Sequence, residues 1–187
     1  RGQLGTEPED LFDRVLVDAD CSHDGSFRHL EKLVAKLAGE HRYRPSGEAK
    51  EGVACGSGNR LAAAAAEAAA RVSELLGAEA CAGKVGLQRA LLSAGFANLL
   101  PGGALVYATC SLTRSQNEGV IGWFLEREPR ARLAPVPFAV AAAEKHEDET
   151  AESALPWAPG ELPHTLRFSP RRGTGGLFVA RIEKDAQ

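Results

Sequence analysis

The sequence predicts an α/β domain with a mainly parallel sheet. Patterns of buried strands alternate along it with stretches of helical periodicity. The two most apolar strand patterns each empty into a polar segment, one through Asp18 to Cys21 and the other through Thr109 to Cys110. Chemistry in parallel α/β sheets gathers at those carboxyl ends. With 44% hydrophobic and 25% charged residues over 187 positions, the composition suits one globular domain around a single core.

Residues 12–18, Phe-Asp-Arg-Val-Leu-Val-Asp, read as the first strand. Val15, Leu16 and Val17 are consecutive apolar residues, the pattern of a strand buried on both faces, so this strand is expected to be central and to take a neighbour from outside the chain. A polar segment with turn chemistry follows, Ala19-Asp20-Cys21-Ser22-His23-Asp24-Gly25-Ser26. Leu30, Leu33, Val34 and Leu37 recur at helical spacing, and Gly39 sits where such a helix would stop. Residues 41–59 lack periodicity and read as a loop, glycine-rich at Cys55-Gly-Ser-Gly58. Residues 60–76 are dominated by alanine and favour a helix. The span near 41–84 is expected to be an insertion.

Residues 85–100 carry Leu87, Leu91, Leu92, Ala94 and Phe96, a helical pattern that Pro101-Gly102-Gly103 is expected to end. Residues 104–109 read as the second buried strand, and Ser111 or Ser115 as the cap of a helix through Val120, Ile121, Phe124 and Leu125. Residues 132–136 form a short strand pattern. Residues 139–163 hold six acidic residues, one lysine and three prolines, and read as a mobile acidic loop, the second insertion. Residues 165–168 and 177–182 close the chain as two strands.

Twenty-five acidic against 22 basic residues leave a formal charge of −3, so no global positive field draws in nucleic acid. The basic groups, Arg42 with Arg44 and Arg171 with Arg172, have no aromatic residues interleaved and read as solvated charges. No apolar run reaches the roughly 18 residues of a membrane span, and residues 1–10 are unlike a secretory signal, so an intracellular protein with no membrane partner is expected. The four cysteines, Cys21, Cys55, Cys81 and Cys110, form no CxxC pair, and neither a metal site nor a disulfide framework is expected. The absence of any methionine suits a fragment.

Four ordered blocks carry a resemblance. They are Val-Leu-Val-Asp18-Ala19-Asp20-Cys21-Ser22; Leu87-Gln88 with Pro101-Gly102-Gly103; Ala104-Leu-Val-Tyr-Ala-Thr109-Cys110-Ser111 with Gln116-Asn117-Glu118; and Thr174-Gly-Gly-Leu-Phe178-Val-Ala-Arg. Together they resemble the Sun-type (Nop/Sun domain) RNA cytosine-5 methyltransferases. The resemblance implies a Rossmann-like, S-adenosylmethionine-dependent methyltransferase fold of which this chain is the C-terminal part. It implies an enzyme acting on ribosomal or transfer RNA, with S-adenosylmethionine as cofactor. Cys110 is then the nucleophile, Cys21 the cysteine that helps release methylated RNA, and Asp18 the acid that contacts both cytosine and cofactor.

The pattern departs from the family at Asp20, which stands in place of a proline, and at Gly175, in place of an aspartate. Asp20 is expected to raise the pKa of its neighbour Cys21, with His23 as an offsetting cation or a proton shuttle. No glycine-rich turn and no ribose-binding acid precede residue 12, so the cofactor pocket and most of the RNA affinity are expected to be completed by missing sequence or a protein partner. Two functional readings stay open: the RNA methyltransferase, and a non-catalytic relative serving as a structural or assembly factor in a ribonucleoprotein.

Overall fold

The computed structural model describes residues 11–26, 28–29, 78–143 and 155–186. The expected helix at 30–39, the loop with Cys55, the alanine-rich helix, Arg42 with Arg44, and residues 144–154 lie outside the described residues. Of Cys81 the structure describes only its place in a helix.

Strand β1 (Phe12–Asp18) leads by a long crossover to helix α1 (Ala78–Ala97) and strand β2 (Leu99–Thr109). A 3-10 turn (Arg114–Gln116), helix α2 (Glu118–Leu125), strand β3 (Ala131–Ala134) and helix α3 (Pro137–Ala143) follow. Strands β4 (Trp157–Pro159), β5 (Leu166–Phe168) and β6 (Leu177–Lys184) complete the sheet. Its order is β1-β2-β6-β5-β4, with β3 also paired to β6.

The α/β layout is the one the sequence predicts, but the described sheet is mixed. Only β1 and β2 are parallel; the β2–β6, β3–β6, β4–β5 and β5–β6 pairs are antiparallel. For the β4–β5 and β5–β6 pairs the cause is connection length. A parallel return needs a crossover long enough for a helix, which β1 to β2 has, whereas β4, β5 and β6 follow one another through short turns that can only reverse the chain.

Helix α1 buries Gln88, Leu92 and Phe96, one stripe at fourfold spacing, and leaves Leu87 and Leu91 exposed. It approaches the sheet closely at Gly95, where a Cβ would stand 2.9 Å from Val17 and 3.1 Å from Leu105. The main core joins Val17, Leu92, Phe96, Leu105, Tyr107, Ile121, Phe124 and Phe178. Buried Lys184 donates to the carbonyls of Phe96 (3.1 Å) and Leu99 (2.6 Å), closing the end of α1 against β6; burial holds its pKa below the usual lysine value.

Three local expectations are corrected. Pro101-Gly102-Gly103 does not separate helix from strand. It bulges out of β2 after the strand has begun, where the register jumps from Phe12↔Leu99 to Arg14↔Ala104, and Gly102 takes φ +80°. Neither Ser111 nor Ser115 caps α2: its N-cap is Asn117, whose side chain serves the Cys110 turn instead. The expected acidic loop at 139–163 is structured at both ends, as α3 and β4, because Phe138, Trp157 and Phe168 pack their rings together, with centroids 5.2 to 6.5 Å apart.

Among the described residues β1 is an edge strand, with Phe12 56% and Leu16 69% exposed, so a central place for it requires the neighbour expected from outside the chain. An unpaired parallel edge of this kind is a template for association. Sedimentation of these 187 residues expressed alone should therefore reveal dimers or larger species, and a single monomeric boundary would contradict the argument.

Candidate active site

Parallel pairing of β1 with β2 carries both chains out of the sheet side by side. The ladder runs through Asp18↔Ala108 and ends with the Ala19 amide donating to the Ala108 carbonyl at 3.0 Å. The two polar loops thus start level, and the sulfurs of Cys21 and Cys110 lie 3.1 Å apart. Both are free thiols, Cys21 buried and Cys110 half-buried. Asp18, the last residue of β1, is exposed beside them, and its charge is felt at Cys110.

The structure therefore brings together all three residues singled out from the sequence, and it adds His23. Its Nδ1 is 3.1 Å from the Cys110 sulfur and 3.8 Å from that of Cys21. Asp20 has partners of its own. Its carboxylate is paired with Lys84 and stands 3.4 Å from Nε2 of His23, and the bond to Lys84 holds its pKa below the usual carboxylate value. The Cys110 thiol is pushed up to about 12, by burial first, then by the bond and the charge of Cys21, with Asp18 adding to the effect. Left to these groups alone, Cys110 stays protonated at neutral pH.

Cys21, His23 and Cys110 place three metal-ligating atoms within 4.8 Å of one another. The sulfur separation argues for another role. Two thiolates on one tetrahedral zinc stand about 3.8 Å apart, wider than the 3.1 Å between these sulfurs.

Two glutamines knit the loops. Gln116 accepts from the Ser22 amide (3.0 Å) and from Gln88 Nε2 (3.1 Å), and donates to the hydroxyls of Ser22 (2.9 Å) and Thr113 (3.0 Å). Gln88 also donates to the Asp20 carbonyl at 2.9 Å. Tyr107, buried in β2, donates to the Gln116 carbonyl at 2.7 Å. Asn117 accepts from Thr109 (2.5 Å) and donates to the Ser111 carbonyl (2.8 Å), fixing the turn that carries Cys110. Sequence reading quoted Gln88, Gln116 and Asn117 as matching residues and gave them no role. Gln88 could have been found, since it continues the apolar stripe of Leu92 and Phe96 and must be buried with them.

Glycine sets the closest approach. The Gly25 amide donates to the Cys110 carbonyl at 2.9 Å, and its own carbonyl accepts from the Gly176 amide at 2.7 Å. A Cβ on Gly25 would lie 2.5 Å from the Cys110 oxygen and 2.8 Å from Gly176 Cα. Backbone cannot step aside as a side chain can, so Gly25→Ala is expected to cost roughly 1–3 kcal/mol. Gly175→Ala, whose nearest neighbour would be 3.9 Å away, should be close to neutral. Thermal midpoints of the two variants check this, and equal midpoints would sink it.

Comparison with known proteins places this geometry in a family. Residues 77–183, more than half of the chain, match the model of the 16S rRNA methyltransferase RsmB/F family. The chain belongs to this family. Among relatives, it is 30% identical over 181 residues to the tRNA (cytosine(49)-C(5))-methyltransferase of Pyrococcus abyssi, an alignment covering 94% of this chain and 43% of that one. It is 29% identical over 182 residues to ribosomal RNA small subunit methyltransferase F of Escherichia coli, covering 97% and 27%. The crystal structure of PH0851 superposes with a TM-score of 0.52 at 27% identity, covering 92% of this chain and 26% of that one. The chain thus spans less than half the length of each of these RsmB/F relatives. The expected Rossmann-like methyltransferase fold agrees with these likenesses, and the Cys110 turn, α2 and all of β6 but its last residue lie inside the matched span.

Proposed function

We propose that this protein is an RNA cytosine-5 methyltransferase acting on ribosomal or transfer RNA. The observation that carries the reading is the pair of thiols 3.1 Å apart at the carboxyl ends of adjacent parallel strands. Carbon 5 of cytosine is a poor nucleophile until a thiolate adds to carbon 6. Cys110 is the group that adds, being the more accessible sulfur. Cys21, buried directly behind it, assists the elimination that frees the methylated RNA. Asp18, exposed at the end of β1, supplies the carboxylate that favours the protonated cytosine ring and so relieves negative charge as the adduct forms.

S-adenosylmethionine is the methyl donor that goes with this family, and it supplies an electrophilic methyl group when bound. Asp18, exposed at the end of β1, is the described residue whose place suits contact with it. Asp20, a departure from the family pattern beside Cys21, has its carboxylate engaged with Lys84 and His23.

The test uses full-length protein, methyl-labelled S-adenosylmethionine and ribosomal and transfer RNA substrates, followed by mapping of 5-methylcytosine. Label confined to carbon 5 of cytosine is expected. No incorporation, or label on another atom, would overturn the reading.

A further inference from the structure

We infer that His23 is the base that takes the thiol proton of Cys110, and that Asp20 is the positioning residue that fixes the imidazole for this task. The inference rests on the reading of Cys110 as nucleophile and goes beyond it by naming what activates the sulfur.

Cys110 is a thiol that burial, Cys21 and Asp18 all hold in its protonated form. A nucleophile in such surroundings needs an adjacent base. Among the described residues, the imidazole of His23 is the titratable nitrogen within reach of the sulfur, with Nδ1 at 3.1 Å. Asp20 stands 3.4 Å from Nε2. A carboxylate there favours the tautomer with its proton on Nε2, which leaves the Nδ1 lone pair facing the thiol. Lys84 pairs with the outer oxygen of Asp20 and holds the carboxylate in place.

The backbone is arranged for the same end. His23 adopts φ +57°, in the left-handed region that non-glycine residues seldom occupy. Its carbonyl accepts from the Ser26 amide at 3.0 Å, closing a turn over Gly25. The imidazole also stacks on His29, with centroids 4.3 Å apart and planes 12° from parallel. Histidine tolerates this region better than most residues, as His164 at φ +64° also shows, so the turn can hold the ring where it meets the sulfur.

In the step proposed, the S–H bond of Cys110 breaks and the proton bonds to Nδ1 of His23. The electron pair left on sulfur forms the bond to carbon 6 of cytosine while the carbon 5–carbon 6 π bond opens, its electrons shifting toward carbon 4 and the protonated N3 so that carbon 5 becomes the nucleophilic end of an enamine. The charged and titratable groups facing the imidazole are Cys21, Cys110, Asp20 and His29, with Lys84 behind Asp20 and Asp18 acting on Cys110. The imidazolium formed therefore lies between a thiolate and a carboxylate, a favourable place for a cation.

The test reads Cys110 directly, without RNA or cofactor. Full-length protein is alkylated with iodoacetamide across a pH series, and the modified Cys110 peptide is quantified by mass spectrometry. His23→Asn is the informative variant, because asparagine tolerates a left-handed backbone but cannot take up a proton. At pH 7 its Cys110 should react at least roughly tenfold more slowly than in the parent, with the reactive limb displaced to higher pH. Asp20→Asn should move the profile in the same direction by less. Should His23→Asn fail to fold, His23→Gly, which suits the same φ, carries the test: added imidazole should restore alkylation of Cys110.

Superimposable profiles for parent and His23→Asn, or no response of His23→Gly to imidazole, would overturn the inference. So would a chelator that speeds alkylation in the parent, since the three side chains would then be holding a metal. The two readings fail separately. Slowed alkylation in a protein that methylates no RNA leaves the Cys110–His23 pair standing and removes the proposed function, whereas methylation with unaltered alkylation does the reverse.

Discussion

Cys110→Ala should lower methyl transfer on the order of 10⁴-fold or more, to background, because among the described residues no other accessible sulfur stands where it could add to carbon 6. Cys21→Ala is expected to do something different. Cys110 can still add to the base and the methyl group can still be transferred, but elimination then lacks the sulfur that lies 3.1 Å away. The enzyme should stall as a covalent protein–RNA adduct that survives a denaturing gel. The asymmetry follows from burial: Cys21 is 1% exposed and sits behind Cys110, which is only half-buried. A stable adduct with Cys110→Ala in place of Cys21→Ala would exchange the roles. No adduct with either variant, alongside no methyl transfer by the parent, would favour a non-catalytic member of the family.

The parts of the fold that the sequence made legible are those where pattern alone decides. Residues 12–18 and 104–109 are apolar runs between polar turns, and both are strands, β1 and β2. Their parallel pairing then places Cys21 beside Cys110, which is why the site could be assembled from two segments far apart in the chain. What escaped was set by tertiary context. Strand pairing sense at the C-terminal end depends on turn length, which apolar patterns do not encode. Val15, Leu16 and Val17 spell a two-sided burial that the described residues supply on one face, burying Val17 and leaving Leu16 exposed. The sequence offers His23 as an offsetting cation or a proton shuttle but not the sulfur it meets, because only the turn through Gly25, closed against Gly176, brings its ring onto Cys110. The ion pair of Asp20 escaped because its partner Lys84 is 64 residues away.

The same tertiary context predicts the largest stability effect. Glu118 opens α2 with its side chain 1% exposed, and Arg167 of β5 grips it with both prongs of the guanidinium, Nε to Oε1 at 2.7 Å and Nη2 to Oε2. The remaining Arg167 nitrogen donates to the Leu112 carbonyl at 3.0 Å, two residues past Cys110. The Glu161 amide also points at Oε1, at 3.4 Å. Removing one partner of a buried pair strands the other, so Glu118→Ala is expected to destabilise the protein by roughly 3–5 kcal/mol. Glu118→Gln, which keeps most of the hydrogen bonds but not the charge, should cost less. The pH dependence has a definite sign. Burial raises the pKa of Glu118, but the bonds and charge of Arg167 and the backbone amides outweigh it, so the folded value lies below the ordinary 4.5. The pair's contribution is therefore fully present above pH 4.5 and is lost as pH falls through the lower folded value. Denaturant unfolding of the parent and of Glu118→Gln across an acidic series should give curves that converge as the carboxylate takes up its proton. Parallel curves over that range would mean that the Glu118 charge contributes nothing, and that the Cys110 turn is held by its neutral hydrogen bonds alone.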